Sequence, residues 1–339
     1  MSVAKVLRWL DALTPPQNSG LSDEGAQEAL SAARTPIQEF LKNVPSTVFR
    51  GRYGHVTMVA SRTVFTAPLE WVALLLASGS TVRLKRPEAG LSIWDSWVKT
   101  AENLPLTITT ERTLLHDTEL VIAMGSDETI ATLKEQCLTG PEFLGFGSKF
   151  SIALVTNETV IQDSKTPNDV WGRIAADVAL YDTRGCMSPS IVLTTTPLHE
   201  AIPRLAHAME SANVIWPRGT ISDFEGAKIR ERIVLSKLVG QVVEEKAFSI
   251  LGLPLHYTST AALPRVLQVV HVDSIADMLS YVMEHAGQLS TVGTDLSDDT
   301  IFNDIAPHTR VCKLGQMQRP PILRLHDGIP WIDKLFVTT

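Results

Sequence analysis

The sequence predicts an α/β fold with mostly parallel, doubly wound sheets, on three observations. Apolar, β-branched runs alternate with helix-like stretches along most of the chain. Several of these runs, Val121–Gly125, Ser151–Val155 and Ser190–Thr194, show almost no polar alternation, as expected of strands covered by helices on both faces. At 339 residues the chain is long enough for two domains of ordinary size with well-buried cores.

Taken in order, Pro15–Glu24 reads as a loop leading into a helix. Ser22 is the expected N-cap, Asp23 and Glu24 sit in the first turn, and the helix should run to about Asn43, stopping before Pro45. Strands are expected at His55–Ala60, Thr81–Leu84, Leu120–Met124, Ser151–Val155, Ile191–Thr195, Val266–Val272 and Thr309–Leu314. Helices are expected at Leu69–Ala77, Ile93–Asn103, Glu128–Cys137, Asn168–Tyr181, Leu198–Ser211, Phe224–Leu238 and Ile275–His285. Ser222 and Glu225 have the spacing of a capping box. The polar stretch Thr156–Pro167 is the candidate interdomain linker, placing boundaries near 155 and 315.

Composition narrows the function classes. Lys and Arg number 30 against 37 Asp and Glu, a net charge of −7 with no basic run, which argues against a nucleic-acid partner. Cys137, Cys186 and Cys312 are too few and too scattered for a disulfide framework, and without a CxxC pair a structural metal site is not expected. The longest apolar run, Trp71–Ser78, is less than half of the ~20 residues that a membrane-spanning helix needs. No signal-peptide pattern opens the sequence, so a soluble, cytoplasmic protein is expected.

Cys186 is the foremost candidate for chemistry. It sits in Tyr181-Asp-Thr-Arg-Gly-Cys-Met-Ser-Pro189, between a helix and a strand, so its thiol belongs to a turn and not to a core face. Gly185 removes bulk beside the sulfur, and nearby N–H groups could face an oxyanion. A thiolate suits thioester exchange, because attack and departure of sulfur have similar energetics. Lys85 and Glu88, at the end of a strand, could hold a ribose or phosphate edge. Gly125 and Ser126 lie between a strand and a helix start, where N–H groups can receive a phosphate, although Ser126 is equally an ordinary cap. Neither this turn nor Gly145-Phe-Gly-Ser-Lys149 completes a GxGxxG or P-loop motif. His326-Asp327-Gly328 offers a proton donor or orienting group, with an Asp-Gly turn the simpler account.

These segments, in register from about residue 55 to 330, resemble the aldehyde dehydrogenase superfamily. Within it they resemble most the acyl-CoA reductases of LuxC type. The likeness rests on Gly-Ser-Asp-Glu-Thr-Ile (125–130), Tyr-Asp-x-x-Gly-Cys-x-Ser-Pro (181–189), Val-Leu-Gln-Val-Val (266–270) and Met-Gln-Arg-Pro-Pro…His-Asp-Gly (317–328). The resemblance implies two doubly wound α/β domains of aldehyde dehydrogenase type. Residues 1–155 would form an abbreviated, Rossmann-like cofactor domain, 156–315 the catalytic domain, and 316–339 a segment returning toward the active site. It implies NADPH-dependent reduction of an acyl thioester to an aldehyde through S-acyl-Cys186, with NADH left open. Lys85 and Glu88 would hold the adenosine ribose and Gly125 and Ser126 the phosphates, with Arg86, or Arg83, meeting a 2′-phosphate. The donor would be acyl-CoA or an acyl-carrier-protein thioester, and an acyl-activating partner enzyme and homo-oligomerisation are compatible expectations.

The departures also matter. The water-activating glutamate of hydrolytic relatives would fall at Gly145, and the glutamate for the nicotinamide ribose near Ala261. No oxyanion-hole asparagine is evident in Thr63–Pro68, and Pro68–Gly79 is about one helical turn short. Two other readings therefore stay open at the level of sequence: a cysteine acyltransferase without redox chemistry, and a non-catalytic acyl-handling subunit.

Overall fold

The computed structural model of the chain describes residues 3–44, 50–61, 63–86, 95–101, 103–110, 117–156 and 169–337. Two helices come first, α1 (Val3–Ala12) and α2 (Asp23–Asn43). α2 begins as its sequence dictates: Ser22 accepts a hydrogen bond from the Gly25 N–H at 3.1 Å, and Asp23 and Glu24 face the helix's positive end. α1 is an addition to the sequence expectation. Its Val6, Trp9 and Leu10, at helical spacing, are buried.

After the short β1 (Arg50–Gly51) comes a sheet of five parallel strands among the described residues. These are β2 (His55–Val59), β3 (Thr81–Lys85), β4 (Leu106–Thr109), β5 (Leu120–Met124) and β6 (Glu142–Phe146), in the spatial order β4-β3-β2-β5-β6. α3 (Leu69–Ala77), α4 (Asp95–Thr100) and α5 (Asp127–Gln136) run between them. Seven of the nine residues of α3 are apolar and buried without a gap from Trp71 to Ala77, because α1 and α2 cover the side turned away from the sheet. The chain steps outward from β2 to β4 and then returns to β5 on the other side. Such a reversal opens a crevice at the carboxyl ends of β2 and β5.

The second sheet holds β7 (Phe150–Val155), β8 (Pro189–Thr194), β9 (Gln241–Glu244), β10 (Ser249–Gly252), β11 (Val266–His271), β12 (Leu289–Thr294) and β13 (Arg310–Cys312). Its order is β13-β12-β7-β8-β11-β10-β9, and β9 alone pairs antiparallel. Side-chain alternation gives each face its own core. Ala153 and Val155 join α6 (Val170–Ala179) and α7 (Leu198–Ile215), while Ile152 and Leu154 join α9 (Ile275–His285) and α10 (Phe302–Ile305) on the other face. α8 (Asp223–Val239) starts with the full capping box, Ser222 and Glu225 each satisfying the other's backbone N–H.

The last segment returns to the first sheet. Trp331 and Leu335 of α11 (Trp331–Leu335) enter the core built by α1, α2 and α3, and β14 (Phe336–Val337) pairs with β1. Among the described residues no helix is long and apolar enough to cross a membrane. Apart from Thr156, the expected linker lies outside the described residues, as does Glu88.

Candidate active site

Only Gly147, Ser148 and Lys149 separate β6 from β7, so the carboxyl edge of the first sheet runs into the amino edge of the second. Cys186 lies at this junction, three residues before β8. Ser151 at the start of β7 donates to the Cys186 carbonyl at 2.6 Å and accepts from the Thr291 N–H at 3.0 Å. The loop after β2 closes the other side: a Cβ on Gly185 would sit 3.6 Å from Val64, and the Tyr181 hydroxyl is 3.0 Å from that of Thr66.

The backbone that presents the thiol is unusual. Asp182 and Thr183 are consecutive non-glycine residues in the left-handed region, at φ 50° and 58°, a conformation that persists only when its surroundings enforce it. The Asp182 carboxylate meets the fully buried Arg265 guanidinium and accepts from the Gly219 N–H at 2.9 Å. Arg265 also donates to Asn213 Oδ1 at 2.9 Å and to the carbonyls of Trp216 and Ala179 at 2.5 and 3.2 Å. Arg184 pairs with Glu225, the capping-box residue of α8, and donates to the Thr220 carbonyl at 2.7 Å. Downstream, the Gln318 amide bridges the Asp177 carbonyl at 2.9 Å and the Ser188 hydroxyl at 2.8 Å. Each side of the loop is thus tied to a different element.

Cys186 is solvent-exposed, while Cys137 is buried at the end of α5 and Cys312 is half-buried in β13. Desolvation by the surrounding protein atoms pushes the Cys186 pKa above the ordinary value, and the Asp327 charge adds to the rise. The nearby Ser290 hydroxyl and the charge of Arg324 pull the other way. The resting sulfur is therefore a thiol at neutral pH and needs a proton acceptor in order to attack.

His326, Asp327 and Gly328 form a reverse turn beside Cys186, closed by His326 N–H to Ile329 O at 3.0 Å and Ile329 N–H to His326 O at 2.9 Å. The His326 ring packs edge-on against Trp71 and Phe146, with centroids 5.4 and 4.4 Å away. Its burial, helped by Arg324, holds its pKa down to about 3, so the imidazole stays neutral and accepts at Nδ1 from Arg324 at 3.3 Å. This corrects the option of His326 as a proton donor, since a ring committed to the aromatic core does not charge near neutrality. Arg324 in turn makes two 2.8 Å bonds to Glu70 of α3. Asp327 lines a cavity of about 310 Å³ with Lys149, Leu289, Ala306, His308 and Ile329.

The residues expected to meet a cofactor lie on the crevice edge of the first sheet. Lys85 ends β3, half-buried like Arg83 and Arg86, and its carbonyl accepts from the Ala60 N–H at 3.0 Å. A Cβ on Gly125 would meet the Thr129 side chain in ordinary contact at 3.5 Å. The Ser126 hydroxyl caps its own helix through Thr129, with the N–H at 3.3 Å and the hydroxyl at 2.9 Å. Asp127 accepts from the Ser148 N–H at 2.7 Å, which fixes the β6–β7 hinge. At Gly145 a Cβ would lie 2.6 Å from the Phe143 ring and 2.7 Å from Ile130, so no glutamate side chain fits there without displacing both.

Sequence reasoning missed Ser151 and Arg265, which act from distant segments and carry no local motif, and read Gln318 only as part of the Met-Gln-Arg-Pro-Pro likeness. Asp327 was visible only as the neighbour of His326.

The family profile described as acyl-CoA reductase (LuxC) matches residues 108–338. A long-chain acyl-protein thioester reductase of Photobacterium leiognathi is 24% identical over 223 residues, which are 64% of this chain and 45% of that protein, so the chain spans about half the length of this curated relative. Among solved structures, an acetylating aldehyde dehydrogenase from Geobacillus thermoglucosidasius superimposes with a TM-score of 0.67 at 11% identity, covering 99% of this chain and 90% of that one. Methylmalonate-semialdehyde dehydrogenase from Oceanimonas doudoroffii gives 0.68 at 14% identity, covering 95% and 75%. The NADP complex of a glyceraldehyde-3-phosphate dehydrogenase from Bacillus halodurans gives 0.62 at 12%, covering 92% and 76%. The fold is that of the aldehyde dehydrogenases, and with more than half of its length matched by the family profile, the chain belongs to the acyl-CoA reductase (LuxC) family.

Proposed function

We propose that this chain reduces an acyl thioester, carried by coenzyme A or an acyl-carrier protein, to an aldehyde with NADPH. The observation that carries the reading is the placement of Cys186, an exposed thiol where the carboxyl edge of one parallel sheet meets the amino edge of another. The Cys186 sulfur attacks the thioester carbonyl and expels the carrier thiol, leaving S-acyl-Cys186. The Cys186 N–H, turned toward its own sulfur, is available to the oxyanion. The steric closure at Gly145 supports the same fate, because no carboxylate from that position can activate water against the acyl-enzyme.

The crevice residues fit a dinucleotide: parallel strand ends, a glycine at the end of β5 and a lysine at the end of β3. In this reading residues 1–155 hold the nucleotide, 156–315 carry the chemistry, and 316–339 complete the site. Lys85 and Glu88 hold the adenosine ribose. Gly125 and Ser126 face the phosphates through backbone, the Ser126 hydroxyl being turned into its helix. Arg86, beside Lys85, favours NADPH over NADH. When bound, the nicotinamide supplies the hydride. A cytoplasmic setting suits a mechanism that needs a reduced Cys186, and all three cysteines are free.

The test is to incubate the chain with acyl-CoA and NADPH while following protein mass and NADPH oxidation. An acyl adduct on the peptide containing Cys186 and aldehyde formation are expected, and Cys186→Ala should abolish both. An adduct on Cys137 or Cys312 would overturn the site. An adduct that forms without any binding of NADPH or NADH would point to an acyltransferase.

A further inference from the structure

We propose that the outer ridge of α8 pairs with the same ridge of a second copy of this chain, antiparallel about a twofold axis at Glu231. The inference is independent of the chemistry proposed above. α8 is apolar on two opposite faces. On one, Ile229, Ile233 and Ser236 are buried, the two isoleucines sharing a core with Leu251, Leu253 and Val266. On the other, Phe224, Val234, Leu235 and Leu238 are 73, 60, 55 and 77% exposed. With the exposed Ala227 and Glu231 they recur every three or four residues. At about 3.6 residues per turn that spacing makes a single stripe opposite the buried one.

Exposed apolar residues scattered singly are ordinary, but a solvent-facing helix is otherwise polar on its outer side. Among the described residues no other helix exposes more than two large apolar side chains. The flanks of α8 are tied to its own chain. Arg232 donates to Ser259 Oγ at 2.9 Å on one side, and Lys237 pairs with Glu244 of β9 at 2.9 Å on the other. What these bonds leave open is the apolar ridge between them.

The ridge is complementary to itself when two copies of α8 run antiparallel with Glu231 at the axis. Phe224 then meets Leu238 of the second copy, and the small Ala227 meets its Leu235, so the thin part of one ridge takes the bulk of the other. A parallel pairing would instead set Ala227 on Ala227 and leave a gap there. Charge fits the antiparallel register too. Lys228 and Glu231 are the charged residues along the ridge, and they pair within the chain at 2.8 Å. About the axis the two pairs form a ring of alternating charge, with each Glu231 within one helical turn of the lysine of either copy. Both halves of the fit are carried by one sequence, which is what a twofold contact between identical surfaces requires.

Sedimentation velocity at micromolar concentration should give twice the chain mass. Leu238→Arg and Phe224→Asp should each return the mass of a single chain with thermal unfolding unchanged, because both side chains are largely exposed. Lys228→Glu alone sets four carboxylates around the axis and should dissociate the pair at low salt. Lys228→Glu combined with Glu231→Lys alternates the charges again and should restore it. A single-chain mass for the wild type overturns the proposal, and so does a dimer that survives both Leu238→Arg and Phe224→Asp. A double charge reversal that leaves the chain monomeric overturns the antiparallel register, and the proposal with it. A wild-type monomer that co-sediments with phosphatidylcholine vesicles would overturn it in favour of a lipid surface.

Discussion

Cys186 differs from the other two cysteines by what surrounds it, not by its own chemistry. Burial raises the pKa of Cys137 at a helix end, and burial holds that of Cys312, in a strand, at about 11. Cys186 shares the raised pKa but is the exposed one of the three. Gly145 contributes by having no side chain. With Phe143 and Ile130 at 2.6 and 2.7 Å from a would-be Cβ, Gly145→Ala should cost about 1–3 kcal/mol in urea unfolding, since the Phe143 ring and Ile130 of α5 would both have to move. Gly145→Glu should be worse and should not create hydrolysis of the acyl-enzyme. A well-folded, hydrolytic Gly145→Glu variant would show that the strand yields more easily than its packing implies.

At the scale of elements, the segment Tyr181–Arg184 shows what Tyr-Asp-x-Arg ahead of Cys186 does. The tyrosine reaches the loop after β2, the aspartate is locked by Arg265, and the arginine ties the loop to the cap of α8. Removing one partner of a buried ion pair leaves the other charged and unpaired. Arg265→Met should therefore destabilise the chain by about 3–5 kcal/mol, and adding Asp182→Asn should recover part of that loss in a double-mutant cycle. Strict additivity would mean that the pair is not coupled. Much of the element level was legible beforehand: the caps of α2 and α8 and the buried strands β5, β7 and β8 all carry strong local signals. The strands passed over, β4, β6, β9, β10 and β12, are short, border a sheet edge or carry polar residues, so their apolar pattern is weak until neighbouring strands pair with them.

Over the whole molecule, the C-terminal segment links the two sheets, with Asp177 holding one end and Glu70 of α3 pairing with Arg324 at the other. Its anchor is Asp177 of α6, whose carboxylate accepts from the Gly315 N–H at 2.6 Å and the Met317 N–H at 3.0 Å. Burial outweighs these bonds and the nearby Arg310, leaving the Asp177 pKa at about 7. The unfolded value is about 3.9, so between these limits the folded chain binds the proton more tightly. The stabilisation from Asp177 is then fully present below about pH 4 and is lost as pH rises through about 7. Thermal unfolding across pH 5–8 should show a steeper fall in Tm for the native chain than for Asp177→Asn. Parallel curves would mean that Asp177 stays ionised throughout.

The sequence by itself determined the class of fold, the helix starts and the one cysteine in a turn, because periodicity, capping and turn chemistry act over a few residues. It also exposed the family through short motifs that survive low overall identity. Only the tertiary structure decided that the His326 ring packs against Trp71 and Phe146 and that Gly145 leaves no space for a carboxylate. Both depend on packing between elements, and no local pattern encodes them.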